Sequence, residues 1–288
     1  MITADYEQPR AGDGERFVDS VSLDFCDSEH GLFGRVWITR FPNAVLTRAN
    51  ALLFAGGEVA ERLEREDEQA IAHWERAQVN GISMSTLEPL ERWSLEVAGS
   101  SASLKLEAVA LSPASELSGA VTDSTGVSQY EQLCRLSGIV TIGEQAHPVS
   151  CPGRRVHTWG DFAWGGIERW RTLYAASESG RAITVAAVLP AGGSGHGDEL
   201  RAASLIAQDE VQPFEDIRIS TVWSSAGLPA KAGLELGMAG DELPRRMGGR
   251  AICSTRTERD GHSTTHTFFR WSLEGVPACG LYEVVERR

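Results

Sequence analysis

A histidine and an aspartate that could move a proton lie in a stretch crowded with tryptophan. Residues 151–174 read CPGRRVHTWGDFAWGGIERWRTLY and hold three of the eight tryptophans in the chain. Core strands rarely carry so many charged groups, and surface loops rarely carry so many large aromatic rings. A concave site with apolar walls and a few polar groups needs this mixture. We predict that His157 and Asp161 handle a proton or orient a substrate. Trp159 and Trp164 are predicted to shape the pocket.

Further substrate contacts are predicted at four residues: Tyr130, Glu131, Arg155 and Trp170. A structural interpretation of the same residues stays open, because membership of a pocket is a probabilistic inference. In that interpretation His157 bonds to a backbone carbonyl, the tryptophans fill core, and Arg155 forms an ion pair. Tyr130 and Glu131 would then lie on a solvated strand edge.

No metal or organic cofactor is predicted. His262 and His266 have a spacing used by zinc ligands, but no cysteine pair or third ligand lies near them in the sequence. The glycine-rich segment at residues 192–197 does not spell the dinucleotide-binding pattern, and alternation of strands with helices is missing elsewhere. A loop is the simpler interpretation of this segment.

The composition narrows the class of protein. A formal net charge of −13 argues against nucleic-acid binding, because that affinity comes largely from lysine and arginine neutralising phosphates. No apolar run approaches the length of about 20 residues that spans a bilayer. The first residues lack the basic and apolar regions of a secretory signal, so a cytoplasmic protein with reduced cysteines is expected. The expected partner is a hydrophobic small molecule, and the oligomeric state stays open.

Short apolar segments separated by glycine, proline and asparagine predict a mainly antiparallel all-β fold. Residues 1–15 are predicted to be a frayed polar tail, and residues 114–128 and 227–248 are predicted to be loops. Strands are predicted at residues 32–39, 44–54, 93–97, 103–111, 130–142, 146–149, 167–176, 182–189, 201–208, 216–223, 250–257, 265–273 and 281–286. Such spacing is typical of β-barrels and sandwiches.

The local sequence pattern of one segment predicts a helix rather than a strand. Residues 58–78 contain no glycine or proline and place Leu63, Ile71 and Trp74 near helical spacing, so local propensity predicts one inserted helix.

The motifs around the tryptophan-rich stretch resemble a known superfamily. Tyr130-Glu131-Gln132, Pro152-Gly153, and the run from Arg155 to Gly160 followed by Trp164 resemble the carotenoid 1,2-hydratase (hydroxyneurosporene synthase) superfamily. Fungal Diels–Alderases and tocopherol cyclase are related to it in architecture. The resemblance implies two tandem lipocalin-like halves, residues 1–152 and 153–288, with a cavity at or near their junction. It also implies strands across part of residues 58–86, where local propensity predicts the helix.

This chain departs from the superfamily at positions that matter for acid chemistry. Val156 stands where the superfamily commonly has aspartate before the histidine, and Phe162-Ala163 stand where it has Arg-Asp. Hydration of an alkene needs an acid that can protonate it and a positioned water. Loss of these carboxylates therefore favours cyclisation, in which aromatic walls hold a reactive fold and stabilise charge.

The function expected from these residues is a cofactor-independent cyclase or pericyclase. It would act on an apolar unsaturated substrate such as an isoprenoid or a polyene polyketide. The first alternative is a hydratase of carotenoid or isoprenoid type. A carrier that binds a hydrophobic ligand without changing it, or a scaffold with a filled interior, are further alternatives that the sequence leaves open.

Overall fold

The computed structural model describes residues 2–117, 119–207 and 210–288, apart from the side chain of His196. The chain divides into two compact units. The first comprises Met1–Glu116 and Gly126–Phe162, and the second comprises Leu117–Thr125 and Ala163–Arg288. The division falls inside the tryptophan-rich stretch, after Phe162. The boundary expected between residues 152 and 153 instead lies within a strand of the first unit.

The first unit is one antiparallel sheet with the strand order β4-β3-β2-β1-β11-β10-β8-β7-β6-β5, and β9 pairs with β10. Its strands are β1 Phe17–Asp27, β2 Leu32–Phe41, β3 Leu46–Ala55, β4 Glu58–Asp67, β5 Ala77–Val79, β6 Ile82–Glu88, β7 Arg92–Ala98, β8 Ala102–Ala110, β9 Ser115–Leu117, β10 Val127–Ile142 and β11 Gln145–Asp161. Short 3-10 helices occupy Ala4–Glu7, Pro42–Ala44 and Trp74–Arg76. The sheet curls until β4 lies beside β5, so the unit is barrel-like.

Alternate residues of these strands fill the interior of the first barrel. Val21, Leu23 and Phe25 of β1 belong to one buried apolar cluster with residues from the other strands. This alternation with a period of two residues is what an antiparallel sheet with one buried face requires.

The second unit repeats the architecture with nine strands in the order β15-β14-β13-β12-β20-β19-β18-β17-β16. They are β12 Ile167–Ala176, β13 Ala182–Pro190, β14 Leu200–Ala207, β15 Glu210–Pro213, β16 Asp216–Trp223, β17 Pro229–Gly237, β18 Arg245–Arg259, β19 His262–Leu273 and β20 Val276–Arg287. Helix α1 spans Ala120–Thr125, and 3-10 helices span Trp164–Gly166 and His196–Asp198. The predicted all-β fold of two tandem lipocalin-like halves is confirmed.

The helix predicted over residues 58–78 was wrong. This segment forms strand β4, an irregular stretch, the 3-10 helix Trp74–Arg76 and strand β5. Glu61 and Leu63 point inward while Arg62 and Glu64 are exposed, which is strand alternation. Pairing of β4 with β3, which includes an ion pair of 2.8 Å between Arg48 Nε and Glu66 Oε2, overrides local helix propensity.

Two predicted loops also contain regular structure. Residues 227–248 include strand β17, whose Leu234 and Leu236 face the core although glycines interrupt the apolar pattern. Residues 114–128 include β9 and α1, while Ser118 of that segment lies outside the described residues. The strand predicted over residues 201–208 is β14, and its last predicted residue, Gln208, also lies outside them.

Among the described residues, no helix has both the length and the apolar character needed to cross a bilayer.

Gly153 allows β11 to pack closely against β1. A Cβ atom added at this position would lie 2.1 Å from Leu136 Cδ1 and 2.4 Å from the carbonyl oxygen of Asp24. Because backbone cannot move aside cheaply, we expect Gly153→Ala to lower the free energy of unfolding by about 1–3 kcal/mol. Gly165→Ala is the matched control, since its added Cβ meets no described atom within 4 Å. Chemical denaturation of both variants checks this, and equal midpoints would contradict it.

Candidate active site in the interior of the first barrel

Strand β11 directs three consecutive inward positions into the first barrel. Directly opposite residues of antiparallel strands share a face of the sheet. His157 is opposite the core residue Val21 on β1 and opposite Tyr130 on β10. Arg155 and Trp159, two residues away on either side, therefore face the same interior.

His157 is paired with a carboxylate that comes from the neighbouring strand. Its Nε2 atom lies 2.6 Å from Asp19 Oδ1, and both side chains are fully buried. The second oxygen, Asp19 Oδ2, accepts a hydrogen bond of 2.7 Å from the backbone N–H of Arg10 and one of 3.2 Å from Arg40 Nη1. Both carboxylate oxygens are thus engaged, and the imidazole ring is held in one orientation.

This pairing determines which nitrogen of His157 carries the proton. A carboxylate only accepts hydrogen bonds, so Nε2 must be the donor, and Nδ1 of the neutral ring then presents its lone pair. Burial lowers the pKa of His157 below its ordinary value, against the opposing effect of Asp19. Nδ1 is buried and has no hydrogen-bond partner among the described residues. A ring held in this way is able to accept a proton at Nδ1.

Aromatic rings surround His157. The centroid of the His157 ring lies 5.1 Å from that of Trp159, 5.5 Å from that of Tyr130 and 6.0 Å from that of Trp74, all in edge-on arrangements. Two other buried polar atoms of the same interior, Trp74 Nε1 and Gln132 Oε1, also have no partner among the described residues. Apolar walls with a few unsatisfied polar atoms are typical of sites that bind small molecules.

A second polar cluster lies beside the dyad and is centred on Glu7. This carboxylate is only 2% exposed. It accepts hydrogen bonds from four side chains: Tyr130 Oη at 2.5 Å, Thr86 Oγ1 at 3.0 Å, Arg155 Nη2 at 3.1 Å and Trp93 Nε1 at 3.2 Å. The predicted frayed tail at residues 1–15 therefore supplies a buried charge to the barrel interior.

The charges of this cluster set the protonation states. Burial alone would raise the pKa of Glu7, but the Arg155 guanidinium and the hydrogen bonds from Tyr130 and Trp93 lower it below its ordinary value. Burial raises the pKa of the Tyr130 phenol, opposed by Arg155 and reinforced by Glu7. At neutral pH Glu7 is a carboxylate and Tyr130 keeps its proton as a hydrogen-bond donor.

Of the residues predicted from the sequence, four meet in this interior: Tyr130, Arg155, His157 and Trp159. Asp161 is exposed and lies four residues beyond His157 along an extended strand, or about 13 Å between Cα atoms. Glu131 follows Tyr130 and so points to the opposite face of the sheet, where its Oε2 accepts a hydrogen bond of 3.1 Å from Arg154.

Trp164 and Trp170 belong to the second unit. Their ring centroids are 6.0 Å apart, and the Trp164 ring also contacts the His262 ring at 4.7 Å between centroids, in a tilted arrangement. The site roles of these two tryptophans, Asp161 and Glu131 stay predictions.

Sequence reasoning missed Asp19, Glu7, Trp74 and Trp93. Asp19 carried a readable signal, because it occupies an inward position in the alternation that continues with Val21 and Leu23. Glu7 carried none, because it belongs to no strand and its burial depends on tertiary contacts.

The second unit carries an open cleft of about 930 Å³, which differs from the interior of the first barrel in being open and lined by several charged side chains. Its lining includes Arg218, Glu235 and Arg246. Glu235 pairs with both arginines, with Arg246 Nε 3.2 Å from Glu235 Oε1 and Arg218 Nη1 3.8 Å from Glu235 Oε2. No grouping of three or more potential metal ligands occurs within the described parts of either unit.

The fold and this interior define a class of protein: a double lipocalin-like barrel with a buried acid–base pair inside the first barrel. The chain belongs to the family described as "Domain of unknown function (DUF7064)", which matches residues 2–288. No curated protein matches the sequence.

Solved structures of low sequence identity share the fold. A Nitrosomonas europaea protein assigned as AttH is 13% identical with a TM-score of 0.65, covering 94% of this chain and 92% of that chain. CghA, solved with Sch210972, is 14% identical with a TM-score of 0.65 and coverages of 95% and 89%. Kievitone hydratase from Nectria haematococca is 13% identical with a TM-score of 0.65 and coverages of 99% and 93%. The resemblance to the lipocalin-like cyclase and hydratase superfamily is confirmed at the level of the fold.

Proposed function

We propose that this protein is an enzyme that cyclises or hydrates a small molecule inside its first barrel, with His157 as general base. The observation that carries the proposal is the unpartnered Nδ1 of a neutral, fully buried histidine whose Nε2 is bonded to Asp19. Such a nitrogen is orphaned in the protein alone, and a substrate proton would complete its hydrogen bonding.

The protonation states favour a reaction that begins with removal of a proton. Neutral His157 is a base, and Tyr130 with its raised pKa is a weak acid that serves better as a hydrogen-bond donor. In cyclisation, His157 Nδ1 takes a proton from an enol or phenol, and the resulting anion attacks a double bond of the same molecule that is conjugated to a carbonyl group. His157 then returns the proton to the new carbanion, so the product is an isomer of the substrate. None of these residues is a strong enough acid to protonate an isolated alkene.

Hydration uses the same groups in a different order. His157 would take a proton from a water that adds to a double bond conjugated to a carbonyl group, and would then deliver it to the carbon next to that carbonyl. The name of the kievitone hydratase that shares this fold supports hydration as the alternative. The structure of CghA in complex with Sch210972 supports a small molecule as the substrate. We propose that the substrate is largely apolar and unsaturated, since Trp159, Trp74 and Tyr130 supply the walls.

Incubation with a panel of phenols and enols that carry a double bond conjugated to a carbonyl group tests this function by mass spectrometry and chromatography. Cyclisation gives a product of unchanged mass and altered retention time, and hydration adds the mass of one water. Recovery of every bound compound unaltered would contradict the proposal and identify a carrier. A variant with His157 replaced by alanine separates enzymatic turnover from spontaneous reaction.

A further inference from the structure

The cluster around Glu7 has the form of a receptor for a carboxylate. Its two oxygens receive four hydrogen bonds from Thr86, Trp93, Tyr130 and Arg155, at 2.5 to 3.2 Å. These donors lie on four different strands, β6, β7, β10 and β11, so the receptor is part of the barrel wall. A hydroxyl, an indole, a phenol and a guanidinium converging on one point match the lone pairs of a carboxylate.

The occupant of this receptor comes from outside the sheet. Glu7 ends the four-residue 3-10 helix Ala4–Glu7, and the neighbouring Asp5 and Gln8 are exposed. The Arg10 guanidinium of this segment donates from Nη2 to the carbonyl oxygen of Asp5 at 3.0 Å and lies 5.1 Å from the ring centroid of Trp159 on β11. Further anchors are the hydrogen bond of 2.7 Å from the Arg10 N–H to Asp19 and the edge-on contact of the Tyr6 ring with Trp159 at 5.8 Å. The receptor is therefore built by the barrel, while the ligand is carried by a short segment.

We propose that these four donors form a binding subsite for a carboxylate of the substrate, and that Glu7 occupies this subsite as a tethered stand-in. The inference rests on the proposed function, because it concerns the same barrel interior. Withdrawal of Glu7, with Arg10 still bonded to Asp19, leaves Arg155 without its carboxylate partner, although Arg155 is only 1% exposed. A buried guanidinium without a counter-ion is costly, so a substrate carboxylate stabilises the open form.

The subsite also orients the rest of the substrate toward the base. Tyr130 belongs to both clusters, since its hydroxyl holds the carboxylate and its ring lies 5.5 Å from the His157 ring. A substrate anchored through its carboxylate would therefore place its adjoining carbons against His157. The expected substrate is an unsaturated carboxylic acid with a planar apolar body, rather than a hydrocarbon.

Binding of trans-cinnamate, a planar unsaturated acid, tests the subsite without requiring turnover. The test variant is Glu7→Ala, and the matched control is Asp5→Ala, which removes an exposed acid from the same short helix. Because a tethered ligand competes at an effective concentration in the millimolar range, we expect Glu7→Ala to bind cinnamate at least about tenfold more tightly than the wild type. Asp5→Ala should bind like the wild type. Cinnamamide, which has the same shape without the charge, should bind Glu7→Ala at least about tenfold more weakly than cinnamate does.

Equal affinity of Glu7→Ala and wild type for cinnamate, or equal affinity for cinnamate and cinnamamide, would overturn the proposal. If Glu7→Ala does not fold alone, refolding with cinnamate but not with cinnamamide supports the subsite. Failure to refold with either compound overturns the proposal, because the carboxylate of Glu7 would then have a purely structural role. The variant Glu7→Gln then checks that structural role. Because this experiment measures binding and not turnover, a negative result does not bear on the general-base role of His157, which is tested separately.

Discussion

Replacing His157 by alanine is expected to lower turnover by about 10²- to 10⁴-fold, the usual contribution of a positioned general base. The imidazole is fully buried and its Nδ1 has no partner among the described residues, so its removal deletes the base without breaking a hydrogen bond at that atom. His147→Ala is the matched control, since His147 lies earlier on the same strand and is only half-buried. Steady-state kinetics should show the loss in kcat. Unchanged kcat in a folded His157→Ala protein would remove the histidine from the mechanism.

A substitution at Asp19 tests whether the orientation and tautomer of the His157 ring matter for turnover. Asparagine at position 19 can offer an N–H to His157 Nε2, which would move the ring proton to Nδ1 and leave no lone pair toward the substrate. We expect Asp19→Asn to lower kcat by a factor comparable to that of His157→Ala, with a smaller effect on KM. A variant that keeps full turnover would show that the tautomer is irrelevant.

Replacing Arg155 by leucine is expected to lower the free energy of unfolding by about 3–5 kcal/mol, because it leaves the buried Glu7 carboxylate without its counter-ion. The two side chains are each 1% exposed and their charged atoms are 3.1 Å apart. Chemical denaturation near neutral pH, where Glu7 is ionised, measures the loss. Glu96→Ala is the control, because its partner Lys105 is 79% exposed and such surface pairs contribute at most about 1 kcal/mol.

The double variant Glu7→Leu/Arg155→Leu distinguishes the pair from its packing. Removing both charges together should restore most of the stability lost in Arg155→Leu, since no isolated charge then remains buried. A double variant as unstable as Arg155→Leu would show that the guanidinium acts mainly through its packing on Trp93, whose ring centroid lies 5.6 Å away.

Position 156 illustrates why a motif alone could not settle the chemistry. The superfamily carboxylate before the histidine is replaced here by Val156, which suggested a weakened acid–base site. Val156 faces away from the barrel interior because it neighbours His157 on a strand. The carboxylate that does contact the histidine is Asp19, which comes from β1 at a separation of 138 residues.

Strand alternation and turn residues were enough to predict an all-β fold of barrels or sandwiches, and the resemblance to the superfamily implied the two lipocalin-like halves. The cross-strand neighbours of β11 were not predictable, since they depend on the register of pairing, which joins His157 to Val21 and Tyr130. The helix prediction failed at residues 58–67 because an exposed edge strand rich in Glu and Arg has the composition of a surface helix. The burial of Glu7 could not be predicted, because nothing in its polar segment indicates that four hydrogen-bond donors converge elsewhere in the chain.

The protonation state of His157 tests the central claim most directly. NMR of protein carrying ¹⁵N-labelled histidine reports which ring nitrogen bears hydrogen. We predict a neutral ring protonated at Nε2 at pH 7, which stays neutral as the pH falls through 6.5, the ordinary pKa of histidine, because burial lowers its pKa. Addition of a compound that the protein turns over should shift the Nδ1 resonance. A positively charged ring at pH 7, or hydrogen on Nδ1, would contradict the assignment of His157 as the base.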